Sequence, residues 1–538
     1  MLDKTNDLVS MVSRLRDGEN LILEKGVRYD VWQAESEHLH GYYASNTATK
    51  EENPTGERFV AIYLKDKKNI TIDGNGATLM LHGIMTPLLL DACENVTLKN
   101  LTIDYCRPTM SEYFVKKNDG KTAIIKLNEE CLYTIRDGKL YFQGELGADK
   151  QALWEIPYKG DRILSMYYDP KTGYVRFLKN SEGERFPSLP SIREIKELEK
   201  GRLHIVWERE NAFAPEGTII QTRDVTRFQL GALFQYCKNI RLENVAIRAM
   251  HGFGLLSQYC ENVLFDGVDC TPKKGRTIAS NADFFHFSGC KGIVRIENCK
   301  AAGAHDDFIN VHGTHLRVIE KNDNEKSIVV RFVNTSTWGF KAFFEKDKIE
   351  FIKWDTLLPY AKRKVISVEA LNDTDIKLYL NKVAPTVELN KDVVENSTWT
   401  PKVKIQSNYF GPSMGRGILC TTQKKIRIKN NVFYKNGGMV LSIEDDCNFW
   451  FESGYTKNVA FKNNKVIDCG YGTGGTPIQV IHVAPQVLNV QANPKVHKKV
   501  VVKGNRFVFK KGSWRDPYFA FVKRVIYKRN TFEEIEKI

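Results

Sequence analysis

No stretch of the 538-residue chain approaches the roughly 20 consecutive apolar residues that a membrane-spanning helix needs. The N-terminal segment, MLDKTNDLVSMVSRLRDGEN, has no apolar run of the kind found in a secretory leader. Cysteine is present, eleven residues in all, but never as a CxxC pair, which argues against a structural zinc site. Cys93, Cys237, Cys260 and Cys290 each stand directly before a strand-like stretch. At this chain length they read as buried free thiols rather than a disulfide framework. Arginine-rich helices and aromatic-basic grooves are missing as well, so the net charge of +14 and pI near 9.0 signify solubility and mild attraction to anionic surfaces, not nucleic-acid binding. With 42% hydrophobic and 27% charged residues, the expectation is a soluble globular protein of several domains or one long repeat array.

A repeat is present. CENVTLKNLTI (93–103), CKNIRLENVAI (237–247), CENVLFDGVDC (260–270) and CKGIVRIENC (290–299) follow one pattern, with KNITIDGNGATL (68–79) before them. VKIQSNYF (403–410), IRIKNNVF (426–433), VAFKNNKV (459–466), VVVKGNRF (500–507) and VIYKRNTF (525–532) are later, looser copies. Apolar and polar residues alternate along each copy, the period of a strand with one buried face. The Asn tolerates left-handed backbone angles and can bond to the Asn one turn away, bracing a stacked coil. Irregular loop lengths and the absence of two-residue Asn-Gly or Asp-Gly hairpins between copies favour an all-β, right-handed parallel β-helix over an antiparallel sandwich.

Two stretches break the rhythm, 106–228 and 314–402, and are read as β-barrel-like insertions. They separate N-terminal coils (1–105), central coils (229–313) and C-terminal coils (403–538). The first segment, with Thr5 or Asn6 as helix N-cap and Leu8, Val9, Met11, Val12 and Leu15 on one face, is expected to plug the open end of the coil.

The chemistry is expected at three aspartates. ADFFHFSG and HDDFINVHG align without a gap at an offset of 24 residues, placing Asp283 over Asp307 with Asp306 alongside. Stacked carboxylates repel unless a metal or a proton compensates. One protonated carboxyl beside ionised partners is what glycosidic bond cleavage requires: Asp306, raised by its neighbours, as acid, and Asp283 with Asp307 activating water. Neighbouring strand residues face opposite sides, so Asp306 and Asp307 meet at one site only if the chain bends, and Gly303 and Ala304 allow that. The plainer reading is that such aspartates only brace turns. A calcium site including Asn310 competes with both, and no lysine or arginine lies beside the trio in sequence to serve a lyase. His286, His305, Asn310 and His312 are candidate sugar contacts or simply packed residues. Arg416, Glu444, Trp450 and Glu452, in GRGILCTTQ and LSIEDDCNFWFESG, mark a candidate substrate pocket, in which Trp450 and Phe451 could equally be core and Asp445–Asp446 a loop.

These motifs, together with YDVWQAESEHLHGYYASN, NITIDGNGATLMLHG and NVTLKNLTIDYCRP in the same order, resemble glycoside hydrolase family 110, the exo-α-1,3-galactosidases, over nearly the full chain. The resemblance implies a right-handed parallel β-helix with barrel insertions, inversion at the anomeric carbon, no metal or other cofactor, and essential aspartates at Asp283, Asp306 and Asp307. By analogy with polygalacturonases, Asp306 is the acid. Asp445 and Cys447 depart from the family's pattern near Trp450. The expected partner is a glycan with terminal α-galactose, branched or linear, with no nucleic acid, and the expected address is periplasmic or secreted in a bacterium, the leader being absent from the sequence as given. An endo-acting hydrolase or lyase on acidic glycan, and a non-catalytic glycan-binding solenoid, are the alternatives.

Overall fold

The computed structural model describes residues 7–158, 163–179, 191–208, 210 and 214–536. Among them the regular secondary structure is almost wholly β, built on three sheets of parallel strands that the chain visits in turn. From Phe285–Ser288 in one sheet it passes to Lys291–Glu297 in the next and Lys300–Ala301 in the third, then returns as Ile309–Asn322, paired in parallel beside its starting strand. Two of the sheets carry eleven strands each, so the circuit is repeated along the whole chain. The expected alternation is present: in Lys238–Glu243, Ile240 and Leu242 are buried while Arg241 is exposed. The sheet containing Phe253–Gln258 and Phe285–Ser288 is buried throughout, as parallel strands covered on both faces are.

Stacking repeats side chains in columns. Phe284, Phe308, Phe410 and Phe433 stack ring on ring at 6.0, 5.1 and 5.2 Å, and the backbone N–H of Cys93 meets the Cys237 Sγ. All eleven cysteines are free. The asparagines form two columns. Asn69, Asn95, Asn239 and Asn262 occupy left-handed turns and bond side chain to side chain at 2.8, 2.8 and 2.9 Å, mostly exposed. Asn408, Asn431, Asn464, Asn505 and Asn530 form the other, at 2.9, 2.9, 3.1 and 3.0 Å. There the left-handed angle belongs to the preceding residue, such as Ser407 or Asn430, and Asn408 through Asn505 are turned into the interior.

Neither insertion interrupts the stack. Glu94–Lys99 pairs directly with Lys238–Glu243, and Lys291–Glu297 with Lys402–Gln406, so each insertion is extruded between adjacent coils. The first holds an antiparallel sheet of seven strands, ordered from Tyr174–Phe177 to Ile192–Glu199, and a three-stranded one. Its edge strands do not pair with each other among the described residues, so it is an open sheet where a barrel-like unit was expected. The second closes. Ile309–Asn322, Ser327–Arg331, Asp375–Leu380, Pro359–Ala370, Lys348–Ile352 and Val393–Asn396 pair in that order and back to the first. Strand Ile309–Asn322 belongs to the coil at its start and to the barrel at its end. At the N-terminus, helix Leu8–Ser13 is capped by Asp7, which accepts from the Ser10 N–H, and buries Leu8 and Val12 in the main core. Thr5 and Asn6 lie outside the described residues.

The buried asparagine column gives a stability prediction. Asn431 Oδ1 accepts from both the backbone and the side chain of Asn408, and its Nδ2 donates to Asn464. Asn431→Ala strands these groups in the core and is expected to cost about 2–4 kcal/mol in urea unfolding. Asn95→Gly keeps the left-handed turn at an exposed rung and should change stability by no more than about 0.5 kcal/mol.

Candidate active site

Three consecutive coils build the site. Phe285 pairs with Ile309 and Ile309 with Ile418, so Asp283, Asp307 and Arg416, each two residues earlier, fall into one column. The chain turns between Lys300–Ala301 and Ile309–Asn322, with Gly303 at φ +76°. The turn lets Asp306 join the trio, and one carboxylate oxygen from each aspartate lies within 4.8 Å of the others. Gly415 sits beneath this bend: a Cβ there would lie 2.2 Å from the Asp306 carbonyl.

Arginines offset the crowding. The Arg416 guanidinium donates from Nε to both Asp307 oxygens at 3.0 Å and approaches Oδ2 at 2.8 Å from Nη2, while its backbone N–H reaches Oδ1 at 2.9 Å. Its Nη1 reaches Glu444 at 3.1 Å. Arg227 Nη2 is 3.7 Å from Asp306. Asp283 accepts from the Asp307 N–H at 3.2 Å and contacts His286 Nδ1 at 2.8 Å. Exposure separates the three: the Asp306 side chain is 36% exposed, against 6% for Asp283 and 2% for Asp307. Burial, then the charge of Asp306, pushes Asp283 well above the ordinary carboxylate range. Burial also pushes Asp307 up, with Arg416 pulling it back. Burial opposes the charge on Arg416, but Asp307 and Glu444 outweigh it.

Of the other residues singled out in sequence, His286 and His312 lie behind Asp283, almost wholly buried, with Nε2 atoms 2.7 Å apart. Both rings are packed, at 0% and 2% exposure. His305 is buried against Gln221 at 3.0 Å. Asn310 donates to Glu452 at 3.2 Å, which also accepts from Asn46. Asp445 is buried on His315, and Asp446 accepts from the backbone of residues 448–451. Phe451 is core, whereas Trp450 is 39% exposed against the edge of Phe449. Sequence reasoning missed Arg227, Gln221 and Asn46. The first two come from the end of the first insertion, where no repeat marks the register, and although no arginine neighbours the trio in sequence, two do so in space.

Three carboxylates this close could bind a cation, but Arg416 already fills that position at Asp307. His286, His312 and Glu452 are also mutually near, yet the facing ring nitrogens engage one another. The Arg416 contact is testable. Arg416→Met leaves a buried carboxylate without its partner and should cost about 3–5 kcal/mol in denaturant unfolding. Adding Asp307→Asn should restore most of that loss.

Residues 327–394, inside the closed barrel, match the model described as GLAA-B beta-barrel domain II. Alpha-1,3-galactosidase A of Bacteroides fragilis is 37% identical over 496 residues, covering 91% of this chain and 78% of the relative. The enzyme of the same name from Akkermansia muciniphila is 35% identical, covering 86% and 73%. Alpha-1,3-galactosidase B of Bacteroides thetaiotaomicron is 32% identical, covering 91% and 77%. At such identity over nearly the whole length, the chain belongs to the α-1,3-galactosidase family, glycoside hydrolase family 110.

Proposed function

We propose that the protein is an inverting exo-glycosidase that removes terminal α-1,3-linked galactose from glycans, with Asp306 as acid and Asp283 and Asp307 activating the attacking water. Family membership supports the substrate class. The observation that carries the chemistry is the convergence of the three aspartates from two consecutive coils within 4.8 Å. Asp306, the exposed member, is the one positioned to meet a leaving oxygen.

The nearest oxygens are closer together than the ~6.5–9.5 Å usual between acid and base in inverting enzymes. Support for inversion comes instead from enclosure. Asp283 and Asp307 are nearly covered, which leaves a sugar carbon little room to form an ester with either. Arg416 further ties down both oxygens of Asp307, leaving Asp283 as the group that takes the water's proton.

The stacked coil is proposed to be right-handed, the sense adopted by nearly all parallel strand crossovers, with helix Leu8–Ser13 covering its first end. The insertions at 106–228 and 314–402 act as walls: the first delivers Arg227 to Asp306, and the second is anchored through Ile309–Asn322. None of the described helices is long and apolar enough to cross a membrane. A periplasmic or secreted setting is proposed from the glycan substrate.

Proton NMR of the protein with a panel of branched and linear α-galactosides tests the reading. β-Galactose is expected as the first product, and initial α-galactose would exclude inversion. Released oligomers would indicate endo-action, an ultraviolet-absorbing unsaturated end a lyase, and no product a binding protein. Asp306→Asn should lower kcat/KM by about 10²–10⁴-fold with Tm nearly unchanged.

A further inference from the structure

Behind Asp283 runs a closed line of hydrogen bonds that the hydrolytic reading leaves unused. His312 Nδ1 lies 2.6 Å from the Gly313 carbonyl oxygen. A carbonyl only accepts, so Nδ1 carries a hydrogen. His312 Nε2 faces His286 Nε2 at 2.7 Å, and one hydrogen lies between them. His286 Nδ1 faces Asp283 Oδ2 at 2.8 Å, and one hydrogen lies there too. Three contacts hold three hydrogens. Two neutral imidazoles supply only two, so Asp283, His286 and His312 together carry one proton more than an ionised aspartate with two neutral histidines. The set is net neutral wherever that proton resides.

We propose that His286, backed by His312, is a positioning residue for Asp283 that shares this additional proton across the Oδ2 contact and accepts it as Asp283 becomes the base. This rests on the hydrolytic reading above. The protons balance: the one shared at Oδ2 moves to His286 Nδ1, Asp283 takes a proton from water as the oxygen bonds to the anomeric carbon, and Asp306 gives its own to the departing oxygen. His286 then gives up its proton to solvent while solvent returns one to Asp306, which restores the starting state.

The surroundings suit this role. Burial, then His312, lowers His286 to about 3, while burial raises Asp283, so the proton rests on Asp283 before reaction. The charged groups facing the pair are Asp306, Asp307, Arg227, Arg416 and Glu452. The Phe253 ring closes the apolar side, edge-on to His286 at 5.0 Å. A buried imidazole with both nitrogens in line is a relay that an amide cannot reproduce, since an amide donates but does not take up a proton.

His286→Asn keeps a donor near Asp283 and removes the acceptor of the proton. Asp283 must then lose its proton to solvent before it can act, and burial opposes that loss. The acid limb of kcat/KM is expected to move up by about one pH unit or more, with activity largely regained at higher pH. A uniform fall in rate with an unmoved limb would mean a merely structural role and overturn the proposal. In the native protein, ¹⁵N imidazole spectra, assigned by difference with His286→Asn and His312→Asn, should show the His286 ring neutral between about pH 5 and 8, with His312 in its Nδ1–H form. An Nε2–H form of His312, or titration of His286 in that range, would equally overturn it. If the native protein releases no galactose, the hydrolytic reading fails. If it does so and Asp306→Asn abolishes release while the limb stays put, only the relay fails.

Discussion

Like stacks on like in a coil whose strands lie about 4.8 Å apart, and the rest of the structure answers to that constraint. For most side chains the consequence is favourable. Phenylalanines meet ring to ring, and asparagines donate and accept along a line. For a carboxylate it is unfavourable, and Asp283 over Asp307 is a buried rung pair at which the repeat works against itself. Two things relieve the repulsion. Arg416 follows in the same column on the next coil with a bidentate contact, and a proton held on the far side of Asp283 removes one charge.

The insertions follow from the same geometry. A coil offers only its own rungs, and a column contributes one residue per turn, so groups that must approach from the side have to come from elsewhere. The first insertion supplies Arg227 to Asp306, Gln221 to His305 and, through Gln221 and Glu112, contacts to Thr277. The barrel is fastened differently. Its first strand is the strand that leaves the aspartate bend, and Gly313 within it pairs with Ser453 beside Glu452. Displacing the barrel would therefore pull on the strand that carries Asn310 and His312.

Much of this was legible because the coil writes its register into the sequence. The ungapped match of ADFFHFSG to HDDFINVHG corresponds, residue for residue, to the observed pairing of Phe285 with Ile309 and His286 with Asn310. Arg416 was visible as a candidate but not as the partner of Asp307, since an insertion of irregular length separates their coils. Arg227, 79 residues before Asp306, carried no signal, because its approach depends on how an antiparallel sheet folds back. The closed barrel and the open sheet read alike as alternating strands, and closure depends on which edges meet. His286 was left open between a sugar contact and a packed residue because alignment gives the column a residue occupies, not whether another side chain covers it.

Adjacent residues of a strand face opposite ways, but Asp306 and Asp307 lie in the bend before Ile309–Asn322 and part there. Asp307 continues the column inward to Arg416, while the bend held open by Gly303 and Gly415 turns Asp306 outward, toward Arg227 and solvent. One backbone turn thus produces an enclosed carboxylate and an accessible one from neighbouring residues, without any difference in their intrinsic chemistry. A leaving oxygen needs an acid it can touch, and an attacking water needs a base from which bulk solvent is excluded. On the proposed reading Asp306 meets the first need, while Asp283, in the column that Asp307 continues, meets the second, so the bend that takes Asp306 out of that column is the element on which the division of work depends.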